Sequence, residues 1–158
     1  MNKVFLPPHN YDEGGLLDND MSLFLAGTID CGNSDNWQQQ LINELNDVVH
    51  PIKIYNPRRE EWLSSDDTSE IEKQIKWELY HLEKADLIVM NVLGNSKSPI
   101  SLMEIGLFAR SGKLIVFCDP SFYRFDNVRI VCETYGVSLF KTNDITIIKD
   151  EVLKRVNG

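Results

Sequence analysis

Apolar residues in this chain alternate between two patterns. Short, mostly apolar runs at residues 22–26 (SLFLA), 52–55, 87–92, 114–118 and 137–140 read as buried strands. Between them the apolar positions recur every three or four residues, as on one face of a helix. Residues 34–49 place Trp37, Leu41, Leu45 and Val48 on one stripe, and residues 70–84 do the same with Ile71, Ile75, Leu79 and Leu82. Residues 99–113 form a third helix, opened by Ser98 as a cap and Pro99 at the first helical position. A short helix over 127–135 and a closing helix over 144–156, which starts at Asp144, complete the series.

Strand and helix alternate from residue 22 onward, without repeats or a linker, and crossovers between parallel strands need helices that cover both faces of a sheet. The pattern predicts an α/β fold, a flavodoxin-like doubly wound sheet of five parallel strands in the order 2-1-3-4-5, forming one domain over residues 1–158. Residues 1–20 carry Pro7-Pro8 and Gly14-Gly15 and read as an extended N-terminal arm. Val4–Leu6 within it is either a short strand or a segment laid over the core. In that order the first and third strands are neighbours whose helices leave to opposite faces, so a crevice opens at their C-terminal ends. Its walls would be residues 27–32 and 93–98.

Composition narrows the kind of ligand. The chain has 158 residues, is 42% hydrophobic and carries a net charge of −8 with a pI near 4.8. An acidic protein is a poor match for a nucleic-acid groove and a better one for a small molecule. No apolar run approaches the roughly 20 residues of a membrane span, and the N-terminus lacks a basic-then-apolar leader, so the expected location is cytoplasmic. Cys31, Cys118 and Cys132 are odd in number and far apart, which predicts reduced, packed thiols. His9, His50 and His81 show no metal spacing, and no cofactor or metal is expected.

Glycine-rich phosphate loops and nucleophile elbows are missing, which leaves carboxylates as the candidate chemistry. Glu104 is the only ionisable residue between Lys97 and Arg110 and shares a helical face with Ile100, Leu107 and Phe108, so an acid points where the apolar stripe points. Two plainer readings stand beside that one: Ser101 and Glu104 have capping-box spacing, or Glu104 rides the edge of the stripe into solvent. Glu78, within the second helix, is either the partner acid or a solvated residue paired with a lysine one turn away. Asp30 follows the first strand. Paired carboxylates in unlike environments suit glycosyl chemistry, one as nucleophile and one as proton donor. Gly27 and Thr28 offer backbone amides and a hydroxyl at a strand end, or only a tight turn. Arg58 with Arg59 either grips a ligand or pairs with the acidic run Asp66-Asp67. Trp62, Phe122 and Tyr123 can stack on a flat heterocycle, whereas Trp77 reads as core.

Five ordered blocks, FLAGTID, NPRREEW, KWELYHLEKADLIV, SPISLMEIGLFARSGKLIVFC and FYRFDNVRIVC, resemble the nucleoside 2-deoxyribosyltransferase family, in its branch with NPRR and PISLLELG signatures. The resemblance runs from about Val4 to Tyr135. It implies that Glu104, in an ExG pattern with Gly106, is the nucleophile. Glu78 stands where relatives carry an Asp that positions the base and moves its proton. The activity implied is exchange of bases on 2′-deoxyribose through a covalent sugar–Glu104 intermediate, with retention. Gly27, Thr28, Asp30, Arg58, Trp62, Ser98, Ser101, Phe122, Tyr123 and Asn127 would contact substrate. Asn127 resembles a residue that relatives lend from a neighbouring subunit, which implies a homo-oligomer, either a dimer or a trimer of dimers, with a shared site. The implied partners are 2′-deoxynucleosides and free bases.

Two other activities fit parts of the sequence. A relative of this fold hydrolyses the N-glycosidic bond of deoxynucleoside monophosphates and would use Ser96, Ser98, Arg58 and Arg59 at the 5′ end. A non-catalytic nucleotide-binding module is the third reading.

Overall fold

The structure is a computed structural model that describes residues 2–14, 20–29, 34–59 and 68–158. Six parallel strands form its sheet: β1 (Lys3–Phe5), β2 (Ser22–Gly27), β3 (Lys53–Tyr55), β4 (Leu87–Val92), β5 (Leu114–Cys118) and β6 (Ser138–Phe140), in the order β1-β3-β2-β4-β5-β6. This corrects the expectation of five strands in the order 2-1-3-4-5. The sixth strand comes from the N-terminal arm, whose Lys3, Val4 and Phe5 register with Lys53, Ile54 and Tyr55 on the outer edge of β3. The other five keep the expected sequence of neighbours. Of the two readings of Val4–Leu6 the short strand holds, one residue earlier, and its pairing on an edge is a tertiary event that three residues do not settle alone.

The helices are α1 (Trp37–Glu44), continued as one 3-10 turn over Leu45–Asp47, α2 (Thr68–Lys84), α3 (Pro99–Phe108), α4 (Phe125–Tyr135) and α5 (Ile145–Asn157). They cover both faces because each central strand is apolar on both. Along β4, Ile88, Met90 and Val92 meet Trp77 and Leu82 of α2, Ile105 and Phe108 of α3, and Val128 and Cys132 of α4. Leu87 and Val89 face the opposite layer, with Trp37 and Leu41 of α1 and Ile148 and Val152 of α5. Asp144 caps α5 by accepting from the amides of Thr146 and Ile147. Helix α3 is shorter than expected because Ser111 intercepts its end: both the Ser111 amide (3.0 Å) and hydroxyl (2.6 Å) donate to the carbonyl of Phe108.

The arm is bound to the body by polar contacts as well as by β1. Asp12 pairs with Lys53 at 2.8 Å and accepts from the Tyr55 hydroxyl, while its amide donates to Nε2 of the fully buried His81 at 3.1 Å. Trp77 Nε1 and the Tyr80 hydroxyl donate to the carbonyls of Asn10 and Asp12. Among these, a lysine inside the apolar strand IKIY was the visible sign that a buried anion had to come from elsewhere.

Candidate active site

Strands β2 and β4 are neighbours, and the helices after them, α1 and α3, lie on opposite faces, so the chain parts between their C-terminal ends. Gly27 ends β2 at φ 131°, and a Cβ there would collide with the Asn91 carbonyl, so glycine is required at this approach. On the α1 side a cavity of about 340 Å³ opens between Trp37 and residues 93–95. Glu104 is not one of its walls.

Helix α3 carries Glu104 inward, together with Ser101, Ile105 and Phe108. Glu104 is 7% exposed, whereas Ile100, Met103 and Leu107 are each more than half exposed. The expected face is thus corrected: the acid is inside, with Phe108, and Ile100 and Leu107 are outside. Because α3 is apolar nearly all round, hydrophobic periodicity could not say which side turns to the core. The helix starts at Pro99, not one turn later, so Glu104 lies past its first turn and closes no capping box. Nor does the Ser98 hydroxyl cap α3. Ser98 adopts a left-handed φ of 43°, and its hydroxyl bonds Thr28 at 2.7 Å and Ser96 at 2.8 Å.

Glu104 makes no hydrogen bond or ion pair with a described residue. Burial pushes its carboxyl up to about 8, and the nearby charge of Glu78 adds to that. Glu78 is partly buried on α2 between Trp77 and Leu79, and burial raises it to about 7 against the opposing hydrogen bond of Gln74. Of the two acids Glu78 ionises first, and its charge helps Glu104 to hold its own proton up to about pH 8, so in the free protein the first negative charge of the pair lies on Glu78.

The remaining expected residues divide. Thr28, Ser98 and Ser101 are buried beside the loop that leads into α3. Arg58 is buried, and its guanidinium donates to the carbonyls of Ser34 and Asp35 ahead of α1. Arg59 pairs with Glu70 at 3.8 Å. Phe122 is packed in the core, edge-on to Tyr123, which is 58% exposed. Asn127 is exposed on the first turn of α4. Asp30 and Trp62, with Cys31, Asp66 and Asp67, lie outside the described residues. Cys118 and Cys132 are buried free thiols. Sequence reasoning gave Ser96 only a phosphate-binding role, and the ring it forms with Thr28 and Ser98 had no signal in one dimension.

No helix among the described residues is long and apolar enough to cross a membrane. No curated protein matches the chain. The family profile described as nucleoside 2-deoxyribosyltransferase like matches residues 20–122, from just before β2 to just after β5, a span that takes in both carboxylates and the hydroxyl ring. A match over well more than half of the sequence places this chain in the nucleoside 2-deoxyribosyltransferase-like family.

Proposed function

We propose that the protein exchanges the bases of 2′-deoxynucleosides through a deoxyribosyl–Glu104 ester. The observation that carries the reading is a carboxylate nine-tenths buried, without a hydrogen-bonding partner among the described residues, close enough to a second acid, Glu78, to be raised by its charge. A salt-bridged or capping glutamate would have a partner; a nucleophile has to keep its lone pair free. Family membership supports glycosyl-transfer or hydrolytic chemistry.

In the first half-reaction the proton held by Glu104 passes to Glu78, and the Glu104 carboxylate so formed attacks C1′ of the sugar. The C1′–N bond breaks with its electron pair passing to the base, which takes a proton from Glu78 and leaves. In the second half a nitrogen of the incoming base attacks C1′, its proton goes to Glu78, and the Glu104 carboxylate departs. Two inversions at C1′ give net retention. The absence of a 2′-hydroxyl eases the oxocarbenium-like transition state. Ser101, Tyr123 and residues 30 and 62 are the proposed contacts to sugar and base.

The site is proposed to be shared between copies of the chain. Asn127 and Tyr123 project into solvent from one end of α4, away from their own core. Ile71, Ile75 and Leu79 on α2 and Ile100, Met103 and Leu107 on α3 are 44–56% exposed, so the two helices that carry the carboxylates present apolar outer faces. Hydrolysis of nucleoside monophosphates is the weaker reading, since the serines and the Arg58 guanidinium that would hold a 5′-phosphate already spend donors inside the protein.

The test is intact-protein mass spectrometry after mixing with thymidine alone. The mass of the protein is expected to rise by one deoxyribosyl group, and Glu104→Gln is expected to show no adduct. An adduct that persists in the Gln variant would assign the nucleophile elsewhere.

A further inference from the structure

Thr28, Ser96 and Ser98, from two loops, bring three buried hydroxyls into a ring with edges of 3.1, 2.7 and 2.8 Å. Their protons can be counted. Ser96 donates to the Leu93 carbonyl at 2.7 Å, and the Leu93 amide donates to Thr28 Oγ1 at 2.9 Å. Two hydroxyl protons, on Thr28 and Ser98, are left to serve three edges. Both are used within the ring, and a hydroxyl turned toward a ligand would strip a buried edge of its bond. The main chain of Thr28 is equally committed. Its amide donates to the Asn91 carbonyl at 3.0 Å, and its carbonyl accepts from Trp37 Nε1 at 3.0 Å.

Such a ring is built to fasten, and what it fastens is the start of α3. Ser98 is the only non-glycine residue with positive φ among the described residues, a conformation that persists where its surroundings impose it. Its hydroxyl is withheld from capping and tied to Thr28, its carbonyl accepts from the Leu102 amide at 3.1 Å, and the next residue, Pro99, begins the helix. Glu104 follows six residues after Ser98, roughly 9 Å along the axis. A change in the angle at which α3 leaves the loop therefore moves the carboxylate directly.

We propose that Thr28 is a positioning residue: its hydroxyl, acting through Ser98, sets the departure of α3 and so the placement of the Glu104 carboxylate against C1′. This rests on the reading of Glu104 as the nucleophile. Displacement of a reacting group by about 1 Å costs roughly a hundredfold in rate, whereas affinity, set by sugar and base contacts, is left largely intact.

The full-length protein and its Thr28→Val and Thr28→Ser variants are compared in steady-state exchange of thymidine with adenine. Valine keeps the shape and removes the hydroxyl, and serine restores it. The expected result for Thr28→Val is a kcat lower by about 10- to 100-fold with KM within about twofold, as a misplaced reacting group requires. Thr28→Ser is expected to recover most of the rate. An unchanged kcat in the valine variant, a raised KM with kcat intact, or a serine variant as slow as the valine one overturns the proposal. Should Thr28→Val not fold, Ser98→Gly breaks the same tether in a residue that tolerates positive φ, and a parental kcat there overturns it equally. If the parent protein itself exchanges no deoxynucleoside, the reading of function fails on its own. The tether is then tested by the carbon-13 NMR titration of the Glu104 carboxyl, assigned with Glu104→Gln. A midpoint that moves in Thr28→Val and returns in Thr28→Ser supports the proposal, and one that is the same in all three contradicts it.

Discussion

Glu104 occupies a place where ionisation is expensive, and that expense can be read in stability as well as in rate. A glutamate raised from 4.5 to about 8 by burial and by Glu78 is neutral in the fold at pH values where the unfolded chain is charged. Its penalty is absent below about pH 4.5, grows as pH rises, and is complete above about pH 8. Glu104→Gln is therefore expected to melt higher than the parent at pH 8, on the order of 5 °C for a chain of this size, with the difference vanishing near pH 4. A lower melting temperature for the Gln variant at pH 8 would show that the carboxylate has a stabilising partner. The rate should follow the same pair. One proton on two acids gives a bell-shaped profile of kcat/KM around neutrality. Glu78→Gln should abolish the alkaline limb, because the acid that protonates the leaving base is gone, and should slow poor leaving bases most. An alkaline limb unchanged in that variant would remove Glu78 from proton transfer.

At the scale of elements, the two carboxylate-bearing helices show how far apolar patterning reaches. Both were legible as helices, and α2 begins only two residues before its expected start. Their orientation was not. The stripe of Ile71, Ile75 and Leu79 faces out while Trp77, His81 and Leu82 face in, and α3 is turned so that Ile100 and Leu107 are exposed. Amphipathicity marks a face to be buried without saying whether the sheet or another surface buries it. The contacts between the arm and α2 were equally hidden, since Asp12 lies 41 residues before Lys53 in the chain. For Asp12, burial works to raise the pKa, but Lys53, Tyr55 and the Gly14 amide outweigh it and bring it down to about 2. Its contribution is present above about pH 3.8 and is lost as pH falls toward 2. Asp12→Ala removes a carboxylate that accepts from both the buried Lys53 and the Tyr55 hydroxyl, and loss of a charged hydrogen-bonding group of this kind costs about 1.5–3 kcal/mol. Chemical denaturation at pH 7 measures the loss. A difference under about 1 kcal/mol would mean that the arm is dispensable to the fold.

Across the whole molecule, the alternation of strand and helix was enough to order the five inner strands and to locate the crevice, because parallel crossovers leave few topologies. The arm stood open between a short strand at Val4–Leu6 and a cover over the core, and its pairing with the outer edge of β3 was beyond that alternation. So was the ring of Thr28, Ser96 and Ser98, which exists only once β2 and the loop after β4 are side by side. The exposed apolar faces of α2 and α3 predict association. In solution the protein is expected to sediment as an oligomer, and Ile75→Glu, at a half-exposed position, should shift it toward monomer and reduce turnover with its helical circular dichroism kept. A parent that sediments as a fully active monomer would contradict the shared site.

Incubation with thymidine in the presence and absence of adenine, with the products separated by chromatography, distinguishes base exchange through an ester on Glu104 from hydrolysis. Deoxyadenosine formed with adenine, little thymine released without it, and neither product from Glu104→Ala is the predicted result. Thymine released equally in both incubations, with no new nucleoside, would make the protein a hydrolase and rule out base exchange.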